Sequence, residues 1–312
     1  FNPGSTHFWV KKRTGDEDTD GTDLVLRNLG GGYDELVGAV DEYAWDEGGT
    51  HLAYTVDAAD GDGNGVYLLN AQTGIRRALD NAPLSYARLA WAENGSALAV
   101  LRGDTPDGFE ERENAVIVVR SPGEEAEMIR IESPAGLRDG WVISDGDDLR
   151  FSDDAGTLFV GTKAQSEELE EWDEDDLPLA DVNIWHWDDE RIQTAQARTL
   201  GRDRNRTELA ALHLDDRRLV HLDVEEDRVV EVTPDGRWAI ARDASAYVSD
   251  WRPAYGDYSR VDVRTGERTP VLERQLRTLG MSPDGEFWLY WKEGDVHAYE
   301  VAEDRHANLT AS

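Results

Sequence analysis

Five times this chain repeats one short phrase, a tight turn centred on Gly followed by a strand of large apolar residues. The copies are AWDEGGTHLAYT (Ala44–Thr55), AWAENGSALAVL (Ala90–Leu101), RFSDDAGTLFVGT (Arg150–Thr162), VTPDGRWAIARD (Val232–Asp243) and GMSPDGEFWLYWK (Gly280–Lys292). A turn-plus-strand unit that recurs at a spacing of tens of residues marks a repeat architecture. On such a scaffold, function resides where a unit departs from the repeat.

Each phrase is followed by a second pattern, strand, polar turn, strand, as in VYLLNAQTGIRRAL (Val66–Leu79), AVIVVRSPGEEAEMIRI (Ala115–Ile131), YSRVDVRTGERTPVL (Tyr258–Leu272) and VHAYEVAEDRHANLT (Val296–Thr310). Alternation at period two, flanked by Thr-Gly, Pro-Gly or Asp-Gly, reads as hairpins. LVLRNLGGGYDELVGAV (Leu24–Val40) is the same pattern without its upstream partner. One four-stranded antiparallel sheet per repeat, with sheets packed face to face, is a β-propeller. The expected fold is therefore all-β, a propeller of about six blades whose ring is open to being incomplete. Blade-like units fall at roughly 1–40, 41–80, 86–132, 137–215, 217–273 and 275–312, with an acidic insertion at 164–182. The spacings Gly49 to Gly95 and Gly236 to Gly285 suit a period of ~40–50 residues. Gly95 to Gly156 is longer and implies a blade with an insertion, and Gly156 to Gly236 is long enough for a blade plus a long excursion or for two short blades.

Composition narrows the partners. The chain carries 66 acidic against 32 basic residues, a net charge of −34. Such a field repels phosphate, which argues against nucleic acid and anionic membrane surfaces. No apolar run approaches the ~18–20 residues of a membrane-spanning helix, so no membrane insertion is expected. Scarce lysine beside abundant acid fits solubility in high salt, where charge is screened. It fits the codon usage of a GC-rich genome equally well. The absence of Cys excludes disulfides and thiolate metal sites. The chain opens on Phe1 and shows no signal-peptide pattern, so it reads as a piece of something longer, and its compartment, periplasmic, secreted or cytoplasmic, stays open.

SPDGEFWLYW (Ser282–Trp291) and TPDGRWAIAR (Thr233–Arg242) resemble the turn-strand of TolB-like propellers and of the propeller of the prolyl oligopeptidase family of serine peptidases. NIWHWDDERIQTAQ (Asn183–Gln196) is similar to a segment of that peptidase group, in particular of its bacterial dipeptidyl and acyl-peptide hydrolases. The resemblance implies a non-catalytic propeller that filters short peptides for an α/β-hydrolase domain expected beyond residue 312. That domain would carry the Ser of a G-x-S-x-G elbow. This chain has no such elbow; the stretch Gly280–Gly285 has the wrong spacing. Glu167-Glu168 and Glu170-Glu171 lie in an insertion, but their neighbours do not match the Glu pair with which exopeptidase members hold a substrate amino terminus. The rival reading is a free-standing TolB-like propeller that binds a protein or peptide; a weaker third is an enzyme working through channel carboxylates.

The candidate binding residues are Trp185, His186, Trp187 and Arg191. The two indoles share one strand face and the imidazole takes the other. They could wall a peptide side chain while His186 or Arg191 meets a carboxylate, or the indoles could simply pack between blades. Asp16, Asp18 and Asp20, and likewise Asp60, Asp62 and Asn64, match the front half of a calcium loop. The bidentate Glu of position twelve is replaced by Arg27 and Ala71, and an Asp-rich turn is common in so acidic a chain. The seven His are scattered without metal spacing, and no cofactor is expected.

Overall fold

The computed structural model describes residues 1–11, 21–31, 34–58, 61–123, 126–168, 201, 204–224, 227–248 and 253–311. They fall into two compact units, one comprising Phe1–Pro106, Glu111–Ala164 and Ala210–Val220, the other Asp107–Glu110, Gln165–Leu209 and His221–Ser312.

The repeated turn folds through contacts local enough to be written in six consecutive residues. Ser152 Oγ accepts the N–H of Thr157 at 3.0 Å and donates to Asp154 at 2.7 Å. Thr233 does the same with Trp238 and Asp235 at 3.0 and 2.6 Å, and Ser282 with Phe287 and Asp284 at 2.9 and 2.5 Å. The aspartate then accepts an N–H two residues on, at Gly156, Arg237 or Glu286. A hydroxyl, a carboxylate and a left-handed residue thus close each turn; Gly236 and Gly285 adopt φ of +69° and +72°. The Ser152 and Ser282 hydroxyls hold the carboxyls of Asp154 and Asp284 below the usual range. In the first copy Asp46 replaces the hydroxyl and accepts the N–H groups of Thr50 and His51 at 2.8 and 3.0 Å.

The first unit opens with a six-stranded antiparallel sheet, β1 (His7–Lys11), β2 (Thr22–Asn28), β3 (Asp34–Trp45), β4 (His51–Val56), β5 (Gly65–Asn70) and β6 (Arg76–Asn81). The two units expected at 1–40 and 41–80 are here joined through β3, a 12-residue strand. Its first half pairs with β2 and its second half with β4, and the register shifts between Val40 and Tyr43. Ladder partners place Trp9 of β1 opposite Leu26 and, one strand on, Glu35. Yet its ring lies 5.3 Å from Tyr43 and 5.6 Å from Trp45, near the far end of β3. The sheet is therefore folded over itself, and Leu24, Leu26 and Val37 form one buried cluster with Leu52, Tyr54 and Leu69.

The next sheet consists of β7 (Ser85–Trp91), β8 (Ala97–Asp104), β9 (Glu113–Arg120) and β10 (Glu127–Ile131) in sequence order. Its central strands bury both faces. Leu98, Val100, Ile117 and Val119 meet Ala53, Val66 and Leu68 of the first sheet. Ala99, Leu101, Val116 and Val118 meet Ile143, Leu158, Val160 and Leu212 of the third. Burial on both sides is why ALAVL and AVIVV read as unbroken apolar runs. The third sheet is built of β11 (Trp141–Ser144), β12 (Arg150–Phe151), β13 (Thr157–Ala164), β14 (Glu208–His213) and β15 (Arg218–His221), β12 pairing with β13 beside β11.

In the second unit, β16 (Asp227–Val232), β17 (Trp238–Asp243), β18 (Gly256–Asp262) and β19 (Arg268–Gln275) form one four-stranded meander. A second comprises β20 (Arg277–Met281), β21 (Phe287–Lys292), β22 (Asp295–Glu300) and β23 (Arg305–Asn308). Ile240 and Tyr258 of one pack on Trp288, Tyr290, Tyr299 and Val301 of the other. Arg260 lies 4.2 Å over the Trp238 ring and donates to the Val301 carbonyl at 2.7 Å. Four-stranded antiparallel sheets stacked face to face are propeller blades, and the chain is all-β in this manner.

Neighbouring blades are also tied by polar contacts. A β-bulge leaves a backbone N–H without a ladder partner. The bulged region of β7 gives the N–H of Leu89 to Glu42 of β3 at 2.8 Å, and the edge strand β20, beyond its own bulge, gives that of Met281 to Glu231 of β16 at 3.3 Å. Asn64 and Asn114, each at the head of a blade's third strand, donate their amides to the next blade at Leu84 O (3.2 Å) and Ile143 O (2.9 Å).

Candidate functional site

Few of the residues singled out in the sequence are among the described ones. Trp185, His186, Trp187 and Arg191 lie outside the described residues, as do Asp16, Asp18, Asp20 and Asp60. Of the calcium-loop candidates, Asp62 and Asn64 are described. Asn64 is buried and engaged in the fold: its oxygen takes the Ala58 N–H at 2.7 Å and its amide also reaches Asp57 at 3.1 Å. Among the described residues no group of three or more His, Cys, Asp or Glu is arranged to hold a metal ion.

What the first unit does offer is a cleft of about 600 Å³ beside the second blade, where β8 ends and β9 begins. Leu84, Leu137, Trp141 and Ile143 line it together with the polar Arg102, Thr105 and Ser133, and Asp104, Glu113 and Glu132 are its exposed carboxylates. Gly103 and Asn114 belong to the lining as well. A side chain at Gly103 would place its Cβ 2.3 Å from the Glu113 carbonyl, so only Gly lets the strands approach there. Asn114 is 5% exposed and spends its amide on Ile143, while its Oδ1 has no partner. Beyond the cleft lies a compensated charge cluster. Asp80, buried, accepts from Arg130 at 2.8 Å, Arg102 at 3.1 Å and the Tyr86 hydroxyl at 2.6 Å. Burial, then the bond to Asp80, pushes the Tyr86 phenol far up, so it stays a donor. Arg102 is thereby committed to the fold rather than to an anion.

The second unit carries a contrasting site. Strand register sets Asp227 directly opposite Asp243, and Asp243 directly opposite Asp257. With Glu273 they line a cleft of about 340 Å³. Arg268 meets Asp227 at 2.6 Å, and Asp257 takes the Tyr247 hydroxyl and the Arg274 N–H, each at 2.7 Å. Asp243 receives the Ser245 N–H at 2.8 Å.

Among the described residues no histidine lines either cleft. His51 is held between Asp46 at Nδ1 (3.1 Å) and Asn70 at Nε2 (3.3 Å), both ring nitrogens being occupied. His213 meets Thr157 at 3.1 Å and is buried within the third blade. What the first-unit cleft supports chemically is recognition: a recess of mixed polarity that carries three exposed carboxylates.

No family model matches this chain, and no curated protein matches it. Among solved structures it is similar to TolB from Acinetobacter baumannii, with TM-score 0.37 and 11% identity over 98% of this chain and 61% of that one. It is also similar to the β-propeller domain of the Trilobed protease from Pyrococcus furiosus, with TM-score 0.43 and 10% identity over 98% of this chain and 81% of that one. The tricorn protease gives TM-score 0.42 and 12% identity over 98% of this chain and 30% of that one. The chain thus spans about three fifths of the TolB chain and under a third of the tricorn protease. At such TM-scores these likenesses add no weight to the fold, which rests on the strand order, register and packing above.

Proposed function

We propose that this chain is a non-catalytic peptide-binding propeller that serves as the substrate filter of a prolyl-oligopeptidase-type serine peptidase, whose chemistry would be carried by a separate α/β-hydrolase domain. The observation that supports it most is the first-unit cleft, a recess in which Leu84, Leu137, Trp141 and Ile143 stand beside the exposed carboxylates of Asp104, Glu113 and Glu132. The sequence likeness of residues 183–196 to that peptidase group points the same way. Binding, not bond cleavage, is the task such a surface performs.

The test is direct. The purified chain is incubated with aminoacyl and peptidyl chromogenic substrates and with a fluorophosphonate probe, and its affinity for short capped peptides is measured by fluorescence anisotropy. No turnover and no labelled serine, together with saturable peptide binding, is the expected result. Specific labelling of any serine between Ser5 and Ser282, or no saturable binding by any peptide, overturns the reading.

A further inference from the structure

The second copy of the repeated turn departs from the others at the positions that close them. Where Ser152, Thr233 and Ser282 set a hydroxyl against the turn carboxylate, this copy has Ala92, and where that carboxylate stands it has Asn94. Ser96 follows two residues on, so the turn reads Asn94-Gly95-Ser96. Asn-x-Ser/Thr, with x other than Pro, is the acceptor pattern for N-linked glycans. The chain holds two more, Asn205-Arg206-Thr207 and Asn308-Leu309-Thr310. Ser and Thr make up 31 of the 312 residues, so ten asparagines placed at random would meet the pattern about once, against three here.

Geometry separates the three. Transfer needs an amide nitrogen that faces water and is not already spent on the fold. Asn94 and Ser96 are both exposed. Asn94 Oδ1 accepts the Ser96 N–H at 2.9 Å, which fixes the side chain, while its Nδ2 makes no hydrogen bond among the described residues. Gly95, at φ +70°, supplies the left-handed turn and leaves no side chain beside the amide. Asn308 Oδ1 likewise accepts the Thr310 N–H at 3.0 Å, but its Nδ2 donates to Asp295 at 2.8 Å. The Thr310 hydroxyl is held by the same carboxylate at 3.0 Å. Asn205 is exposed, whereas Thr207 is half-buried. Asn94 also borders a recess of about 750 Å³ lined by Asp46, Glu47, His51 and Ser121. Such polar groups suit the hydroxyls of a first sugar.

We propose that Asn94 is an N-glycosylation site, with its first sugar lying against the recess between the first and second sheets. In the transfer, Asn94 Nδ2 displaces the anomeric oxygen of a sugar carried on a polyprenyl phosphate. A C–N bond forms, the C–O bond breaks, the phosphate leaves with its electron pair, and one amide proton passes to a base of the transferring enzyme. The modification entails that this part of the chain is exported, since such acceptors are surface loops of secreted proteins. It involves none of the cleft residues and does not depend on the peptide-binding reading.

The experiment takes the protein from the cells that make it and maps its tryptic peptides by mass spectrometry. Leu89–Arg102, which contains Asn94, is expected to carry a glycan, seen as added sugar mass and as sugar fragment ions. The peptide that contains Asn308 is expected to be modified several-fold less. Asn94→Gln and Ser96→Ala, both at exposed side chains, are each expected to abolish the modification of the first peptide. An unmodified Leu89–Arg102 in the parent overturns the proposal, and simple deamidation at Asn94-Gly95 counts as unmodified. Sugar that persists in Asn94→Gln, which would place it on Ser96, also overturns it, as does higher occupancy at Asn308 than at Asn94.

Discussion

Two carboxylate sites, one in each unit, treat the same problem in opposite ways. Asp80 is withdrawn from water, its side chain 7% exposed, and is matched by two guanidinium groups and a phenol. Asp227, Asp243 and Asp257 stand side by side across three strands, with Arg268 the guanidinium beside Asp227 and backbone and phenol donors serving the others. Like charges placed directly opposite in a sheet destabilise it, whereas a buried, fully partnered carboxylate is costly chiefly to disturb. Neutralising the first site should therefore weaken the protein and neutralising the second should strengthen it.

The largest effect is expected at Asp80. Asp80→Ala leaves Arg102 and Arg130 facing each other without an anion and removes the acceptor of Tyr86, at a cost of about 3–5 kcal/mol. Urea unfolding at neutral pH measures it; a loss below 1 kcal/mol would put both sites in one class. The phenol gives this site its own pH dependence. Tyr86 is raised in the folded protein by burial and by Asp80, so the stability it confers is full below the ordinary tyrosine value of about 10 and declines as pH rises beyond it. Tyr86→Phe should flatten the alkaline limb of the melting curve.

Next comes Asn114. Asn114→Ala removes the tie to the Ile143 carbonyl in the next blade, and about 1–3 kcal/mol should be lost as that buried group goes unmet. Asn64→Ala, its counterpart one blade earlier, should cost more, since Asn64 also accepts the Ala58 N–H and donates to Asp57 while the Oδ1 of Asn114 has no partner. Equal costs would show that the tie to the next blade is what either side chain contributes.

How far these sites were legible beforehand depends on how local they are. The turns at Ser152, Thr233 and Ser282 are closed by residues two and five positions away, so the phrase itself discloses them. The double-sided burial of β8 and β9 shows as unbroken apolar runs. The fold in β3 does not show, because at its bulge the left-handed position falls on an ordinary Ala39, φ +52°, and not on the neighbouring Gly38. The cleft draws on residues from Leu84 to Ile143 spread over several strands, so spacing alone could not assemble it. One clue was present: Asn64-Gly-Val and Asn114-Ala-Val occupy the same place in successive units. The aspartate row is invisible until register is known, since only pairing brings Asp227, Asp243 and Asp257 abreast.

The smallest effect, and the one opposite in sign, is expected in that row. Asp243 has a like charge on each side, so Asp243→Asn removes two repulsions at once while its amide oxygen can still accept the Ser245 N–H. A gain of about 0.2–1 kcal/mol follows. Salt separates this cause from any change in packing. With a net charge of −34 the parent should melt at higher temperature as NaCl rises, because the Debye length contracts from about 30 Å at 0.01 M to about 3 Å at 1 M. If repulsion is what Asp243→Asn relieves, its advantage is largest at low salt and shrinks toward nothing at 1 M, and the variant's own salt response is shallower than the parent's. An advantage that persists unchanged at 1 M would locate the gain in packing or hydrogen bonding. A variant less stable than the parent would mean that Arg268 and the surrounding donors already compensate the row as fully as Arg102 and Arg130 compensate Asp80, and the contrast between the two sites would fall.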